Sequence, residues 1–174
     1  MKAIAGALLL LLAMAATAKD EGITVDMKNA NGESIGTATL REDLDTFRNR
    51  SGWKGGRGIA IKLDLHGLTP GEHGIHIHRD PVCEGPDFKS AGGHINPQSK
   101  KHGLKNPEGP HDGDLPNITA DAKGNVKTKI RAQYASMKEL EAGRSLVIHA
   151  QADDMMTDPA GNSGDRIACG VIKE

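Results

Sequence analysis

Wherever a regular pattern can be found in this chain, apolar residues fall at every second position, the period of a strand with one face buried. Ile23, Val25 and Met27 lie on one side of the first such segment, and Thr24 and Asp26 on the other. Ile59, Ile61, Leu63 and Leu65 alternate with Ala60, Lys62 and Asp64, and Ile75 and Ile77 alternate with His76 and His78. Val126, Thr128 and Ile130 follow the turn signal Ala122-Lys123-Gly124-Asn125, while residues 145–150 and 167–172 are apolar runs short enough for buried strands. Short strands separated by Gly, Pro and Asn turns predict an all-β fold, an antiparallel sandwich or barrel. Residues 136–142 are the only helical candidate, two turns at most.

Two stretches are too long and too polar to be hairpin loops. Residues 79–116 hold six of the eight prolines, all but Pro70 and Pro159, and residues 151–165 are rich in Asp. Long loops in a small domain are usually functional or disordered, and the His, Asp and Cys content here favours function. Aromatic residues are scarce, with Trp53, Tyr134, Phe47 and Phe88 the whole set, so the core must be built from Ile, Val, Leu and Ala. Cys83 and Cys169 are the only cysteines. A disulfide between them would close a loop of more than eighty residues and add roughly 4 kcal/mol of stability by chain entropy. Free thiols or a thiolate metal pair are the alternatives.

Residues 1–18 do not read as folded structure. Lys2 gives a positive start, residues 3–16 are almost wholly apolar, and Ala16-Thr17-Ala18 places small residues where a signal peptidase reads. The run is too short to span a bilayer. It reads as a secretory signal peptide cleaved after Ala18, followed by one domain over residues 19–174. The domain would carry 21 basic against 23 acidic side chains, a balance that points to neither nucleic acid nor an anionic membrane as partner.

The chemistry concentrates in histidines. His76 and His78, at i and i+2 of a strand, lie on one face and can reach one ion, although a solvated polar face would look the same. His149 sits in the apolar segment Leu146-Val147-Ile148-His149, where an unpaired imidazole is costly to bury. The long loop adds His94, His102, His111 and Asp114, with seven and then eight residues between successive histidines. That spacing suits ligands drawn from a loop folded over, not a helical His pair. Nitrogen and carboxylate donors without a free thiolate suit zinc, and imidazole clusters suit copper equally well.

Gly74-Ile-His-Ile-His78, Cys83 and Ser90-Ala-Gly-Gly-His94-Ile-Asn-Pro97 together resemble the copper–zinc superoxide dismutase family. So do His111-Asp-Gly-Asp-Leu-Pro-Asn117, Val147-Ile-His149 and Gly161-Asn-Ser-Gly-Asp-Arg166-Ile-Ala-Cys-Gly-Val171. The similarity runs in order from about Ile23 to the C-terminus, and the leader with the short 149–166 segment is similar to the bacterial secreted, periplasmic branch. The resemblance implies an antiparallel Greek-key β-sandwich or flattened barrel with two long functional loops. It implies a copper ion on His76, His78, His94 and His149, and a zinc ion on His94, His102, His111 and Asp114, with His94 as the bridge. It further implies that Asp153 hydrogen-bonds histidines of both metals, that Cys83 and Cys169 form the disulfide, and that Arg166 and His94 are catalytic. Arg166 would hold superoxide, and His94 would supply a proton as the anion is converted to oxygen and hydrogen peroxide. A homodimer is compatible with the family.

Some residues depart from that pattern. The segment Thr157-Asp-Pro-Ala-Gly-Asn-Ser-Gly-Asp165 has no steering lysine, so Lys100, Lys101 and Lys105 are the candidates, with a solvated basic face as the plainer reading. Ile95 replaces a phenylalanine common in the family, with an expected effect on packing only. His66 and His73 are expected to be surface or structural. Residues 43–58 form an extra polar segment with the only Trp, expected as an insertion or a dimer or partner contact. Two other functions remain open from sequence: a periplasmic copper and zinc buffering protein without turnover, and an interaction domain whose histidines are structural.

Overall fold

Residues 22–43 and 58–173 are described by the computed structural model; the leader, and the part of the 43–58 segment that holds Phe47 and Trp53, lie outside the described residues. The alternating segments and the two short apolar runs form strands, and three further strands join them. They are β1 (Ile23–Asn29), β2 (Ser34–Asp43), β3 (Gly58–Leu65), β4 (Gly71–His73), β5 (Ile75–His78), β6 (Ile118–Ala120), β7 (Val126–Ala132), β8 (Arg144–His149) and β9 (Arg166–Ile172). Seven of them make one curled antiparallel sheet in the order β5-β8-β9-β1-β2-β3-β7, and β4 pairs with β6 separately. Neighbours as distant in sequence as β1 and β9, or β5 and β8, give the Greek-key connectivity.

The alternation selects the core. Val25, Met27, Ile59, Ile61, Leu63, Leu65, Ile75 and Ile77 all turn inward, joined by Leu146, Ile148 and Ala168, and β6 adds Ile118 and Ala120. Burying a side chain of this size contributes about 1.5–3 kcal/mol. Strand β2 has its inward residues at Ile35, Ala38 and Leu40. Its alternation breaks at Gly36, whose φ of 115° suits only glycine, and at a register shift between Asp26 and Lys28 of β1. Strands β4 and β6 are three residues each. The helical candidate shortens to one turn, α1 (Met137–Leu140), capped by the reciprocal Ser136–Glu139 box and ended by Gly143 at φ 76°.

Strands β5 and β8 are buried on both faces. Ile75 pairs across from Ile148, and His76 from Val147. The isoleucines point into the core, so the other face carries His76, His78, Ser145, Val147 and His149, and the two long loops cover it. Cys83 and Cys169 are joined in a disulfide with Cα atoms 5.7 Å apart. It lies in a small satellite cluster of Phe88, Ala91 and Val147 beneath the first loop.

Candidate metal centre

The first long loop runs back along β5 as a further strand-like segment. Ile77 N–H donates to Gly113 O (2.9 Å), Gly113 N–H to Ile95 O (3.0 Å) and Ile95 N–H to Ile77 O (3.0 Å). Three chain segments thus share one backbone ring. His94 is set beside His78 and Asp114 beside His76. Gly113 has no alternative there, since a Cβ would fall onto Ile77 O. The second loop is tied in by Asn117 and Asp153. The Asn117 amide donates to Asp153 O, and its oxygen accepts from Asp153 N–H, both at 2.9 Å.

His76 and His78 are 0% exposed, so they are not a solvated face. Each strand histidine is anchored through one ring nitrogen. His76 Nε2 meets Asp153 Oδ2 at 2.8 Å, His78 Nδ1 meets Gly92 O at 2.9 Å, and His149 Nδ1 meets Gly164 O at 3.1 Å. The opposite nitrogens, His76 Nδ1, His78 Nε2 and His149 Nε2, are buried without any hydrogen-bond partner. Leaving three such atoms unpaired is costly, unless the site holds a cation. With His94 they form a group of four imidazoles whose donor atoms lie within 4.8 Å of one another.

A second group of His94, His102, His111 and Asp114 meets the same criterion. His94 Nδ1 and His102 Nδ1 each lie 2.9 Å from Asp114 Oδ1, and His111 Nδ1 lies 3.3 Å from both that oxygen and His94 Nδ1. A tetrahedral zinc ion with bonds of about 2.0–2.1 Å requires ligand-to-ligand edges of about 3.3 Å. The donors therefore fit a tetrahedral ion with small adjustment. Since His94 Nδ1 faces Asp114, its Nε2 is left for the four-imidazole group, and one ring serves both.

Asp153 connects the halves, with His76 on one side and His102 Nε2 at 3.0 Å on the other. Burial pushes the ring pKa values of His76 and His149 down to about 4 and that of His94 to about 3, and His78 well below its ordinary value. These rings are neutral donors at neutral pH. Burial also opposes charge on His102, but its hydrogen bonds to Asp114 and Asp153 outweigh it and raise the ring to about 9. Burial would raise Asp114 and Asp153, yet their histidine hydrogen bonds hold both below the usual carboxylate range.

Arg166 pairs across the sheet from His149, just past a register shift. Its NH1 donates to Phe88 O and its NH2 to Gly92 O, both at 2.7 Å, so two carbonyls of the first loop hold the guanidinium. Sequence reasoning missed these anchoring carbonyls, because backbone acceptors leave no residue-type signal. It also missed Lys89, which stands beside Arg166 at the cavity mouth. Asn117 was visible only as part of a motif. His73 proves buried, its ring bonded to His149 O at 2.7 Å and Thr69 O at 2.8 Å, whereas His66 is exposed. Ile95 packs in the core. Among the candidate lysines, Lys101 is paired with Asp158 at 3.0 Å.

Comparison with known proteins bears on this arrangement. Residues 35–172 match the family model described as copper/zinc superoxide dismutase. A Cu-Zn superoxide dismutase 2 of Aquifex aeolicus is 44% identical, covering 99% of this chain and 100% of that protein. A Cu-Zn superoxide dismutase of Caulobacter vibrioides is 40% identical over 86% of this chain and 84% of its own. Among solved structures, a double mutant of a SOD-like protein from Bacillus subtilis superposes with a TM-score of 0.79 at 39% identity, covering 90% of this chain and all of that one. The Cu/Zn superoxide dismutase of Brucella abortus gives 0.71 at 35% identity, over 87% of this chain and 99% of that one.

Proposed function

Because the chain belongs to the copper/zinc superoxide dismutase family, we propose that it converts two superoxide anions and two protons to oxygen and hydrogen peroxide. His76, His78, His94 and His149 would hold copper, and His94, His102, His111 and Asp114 would hold zinc. The observation that carries this reading is the trio of buried, partnerless nitrogens on His76, His78 and His149, in a group with His94 whose donor atoms lie within 4.8 Å of one another. When bound, copper supplies a reversible one-electron step, which zinc does not.

The chain's own residues do the rest. Arg166 is a permanent cation presented at a fixed angle by Phe88 O and Gly92 O, and it binds and orients the anion. His94 Nε2 can take up and release a proton while Nδ1 stays directed at Asp114. Asp153 fixes the rings of His76 and His102 together, so the two halves keep their spacing. Residues 1–18 would direct the protein to the periplasm, which sequencing the N-terminus of the exported protein would check.

A superoxide-decay assay on the copper- and zinc-loaded protein, beside Arg166→Ala, tests the reading. Fast decay in the first and a large drop in the second support it. No decay in either, with copper bound, would instead mean a buffering protein, a role for which Arg166 and its carbonyl clamp serve no purpose.

A further inference from the structure

Strands β2, β3 and β7 lie side by side at the end of the sheet order away from β5 and β8. Their pairing sets the outward side chains in rows across the sheet. Thr37, Asp64 and Lys127 make one row, Thr39, Lys62 and Lys129 the next, and Arg41, Ala60 and Arg131 a third. In the outer two rows a carboxylate meets a cation, Asp64 at 3.6 Å from Lys127 and Asp43 at 3.3 Å from Arg131. The middle row has none. Lys62 and Lys129 stand directly opposite one another, an arrangement of like charges that costs stability in a sheet. Among the described residues, Lys62, Lys129 and the exposed Arg41 make no ion pair. Ala60 is too short to fill the space between them, and a cavity of about 370 Å³ opens there, walled by Thr39, Arg41, Lys62 and Lys129. Glu42 and Asp43 also line it. Asp43 is the partner of Arg131, and Glu42, paired across from Ile59, follows the inward set of β2 and lines a second cavity with Lys100. Three cations thus converge on one dip in a chain whose formal net charge is −1.

We propose that this dip is a binding site for a soluble oligophosphate, an anion of two or more linked phosphate groups. Rows two residues apart on one strand face are separated by about 7 Å. A single phosphate held between Lys62 and Lys129 therefore leaves Arg41 unsatisfied. A second, linked phosphate reaches the guanidinium, whose planar fork takes two of its oxygens. Thr39, beside Lys62, adds a hydroxyl donor. The small walled volume favours a short soluble anion over a membrane surface. The site goes beyond the superoxide reading and does not depend on it, since none of these residues belongs to the metal-holding groups.

The test titrates the copper- and zinc-loaded protein with tripolyphosphate and with orthophosphate by calorimetry. The visible absorption of the copper is followed in parallel, so that metal removal is not read as binding. Tripolyphosphate should bind one per chain, at least about tenfold more tightly than orthophosphate, and binding should vanish in about 1 M salt, where screening acts within about 3 Å. Lys62→Ala, Lys129→Ala and Arg41→Ala should each weaken it about two- to fivefold, the range of one exposed charge contact. Lys62→Ala removes the opposed charges, so its ligand-free melting temperature should match the wild type, and its lost affinity is then not a folding defect. Arg166→Ala should bind as the wild type does. Unchanged affinity in the lysine variants, loss of binding in Arg166→Ala alone, or equal affinity for the two phosphates would overturn the proposal. Vesicles of phosphatidylcholine with phosphatidate make the last arm, and capture by them without tripolyphosphate binding would overturn it as well.

Discussion

Single atoms decide how the histidines divide. His76 and His78 are the same residue type two positions apart on one strand, yet His76 leaves Nδ1 free and His78 leaves Nε2 free. The difference comes from what holds the other nitrogen, the Asp153 carboxylate in one case and Gly92 O in the other. Sequence made the six histidines and Asp114 legible as a cluster, but not which nitrogen each presents, because that depends on partners far away in the chain. Asp153 is the residue whose role is most testable at this scale. Asp153→Asn keeps the shape but cannot accept from His76 and His102 at once without turning its amide N–H toward one ring. Loss of such an orienting carboxylate typically costs 10–100-fold in metal affinity. Competition with a chelator should show that loss, and unchanged affinity would mean that the carboxylate does not orient the rings. Arg166→Lys should leave copper content intact while lowering superoxide turnover by about tenfold or more, because an ammonium lacks the fork that spans both carbonyls. Equal turnover would show that charge alone suffices.

At the level of elements, the strands marked by clean alternation or by a short apolar run were legible and the others were not. Strand β3 alternates cleanly from Ile61 to Leu65, whereas β2 loses the pattern at Gly36 and β4 and β6 are too short to show one. The two loops were visible as polar, proline-rich interruptions, but the path that brings His94 and Asp114 against β5 was not, since it is written in backbone hydrogen bonds around Gly113. Gly113→Ala should therefore act on the metal site without touching a ligand. A methyl group there meets Ile77 O, so the loop must move off β5 and both metal stoichiometry and melting temperature should fall. Full metal occupancy in this variant would show that the ring is not what places the ligands. The disulfide spans 86 positions and should contribute about 4 kcal/mol. Paired Cys83→Ser and Cys169→Ser substitution should lower the denaturant midpoint accordingly, and should also loosen the Phe88–Gly92 carbonyls that hold Arg166.

The molecule as a whole buries ionisable rings in large number beside two carboxylates, and this couples its stability to pH in a way that metals should change. In the metal-free protein His76 and His149 titrate near 4, His94 near 3 and His78 well below its ordinary value, whereas all four titrate near 6.5 when unfolded. Between pH 6.5 and about 4 the unfolded chain binds more protons, so stability must fall as pH falls through that window. His102 has the opposite sign. Raised to about 9, it favours the folded state fully below pH 6.5, and that contribution is lost as pH rises toward 9. Four rings acting on the acid side and one on the alkaline side predict a maximum near pH 6.5 with the steeper fall toward acid. Loading zinc and copper occupies the same nitrogens and requires them deprotonated. The alkaline decline should then disappear, while acid should remove the metals and restore the metal-free behaviour. Urea midpoints across pH 4 to 9.5, with and without metals, measure this, and an alkaline decline that persists in the fully loaded protein would rule out His102 as its source.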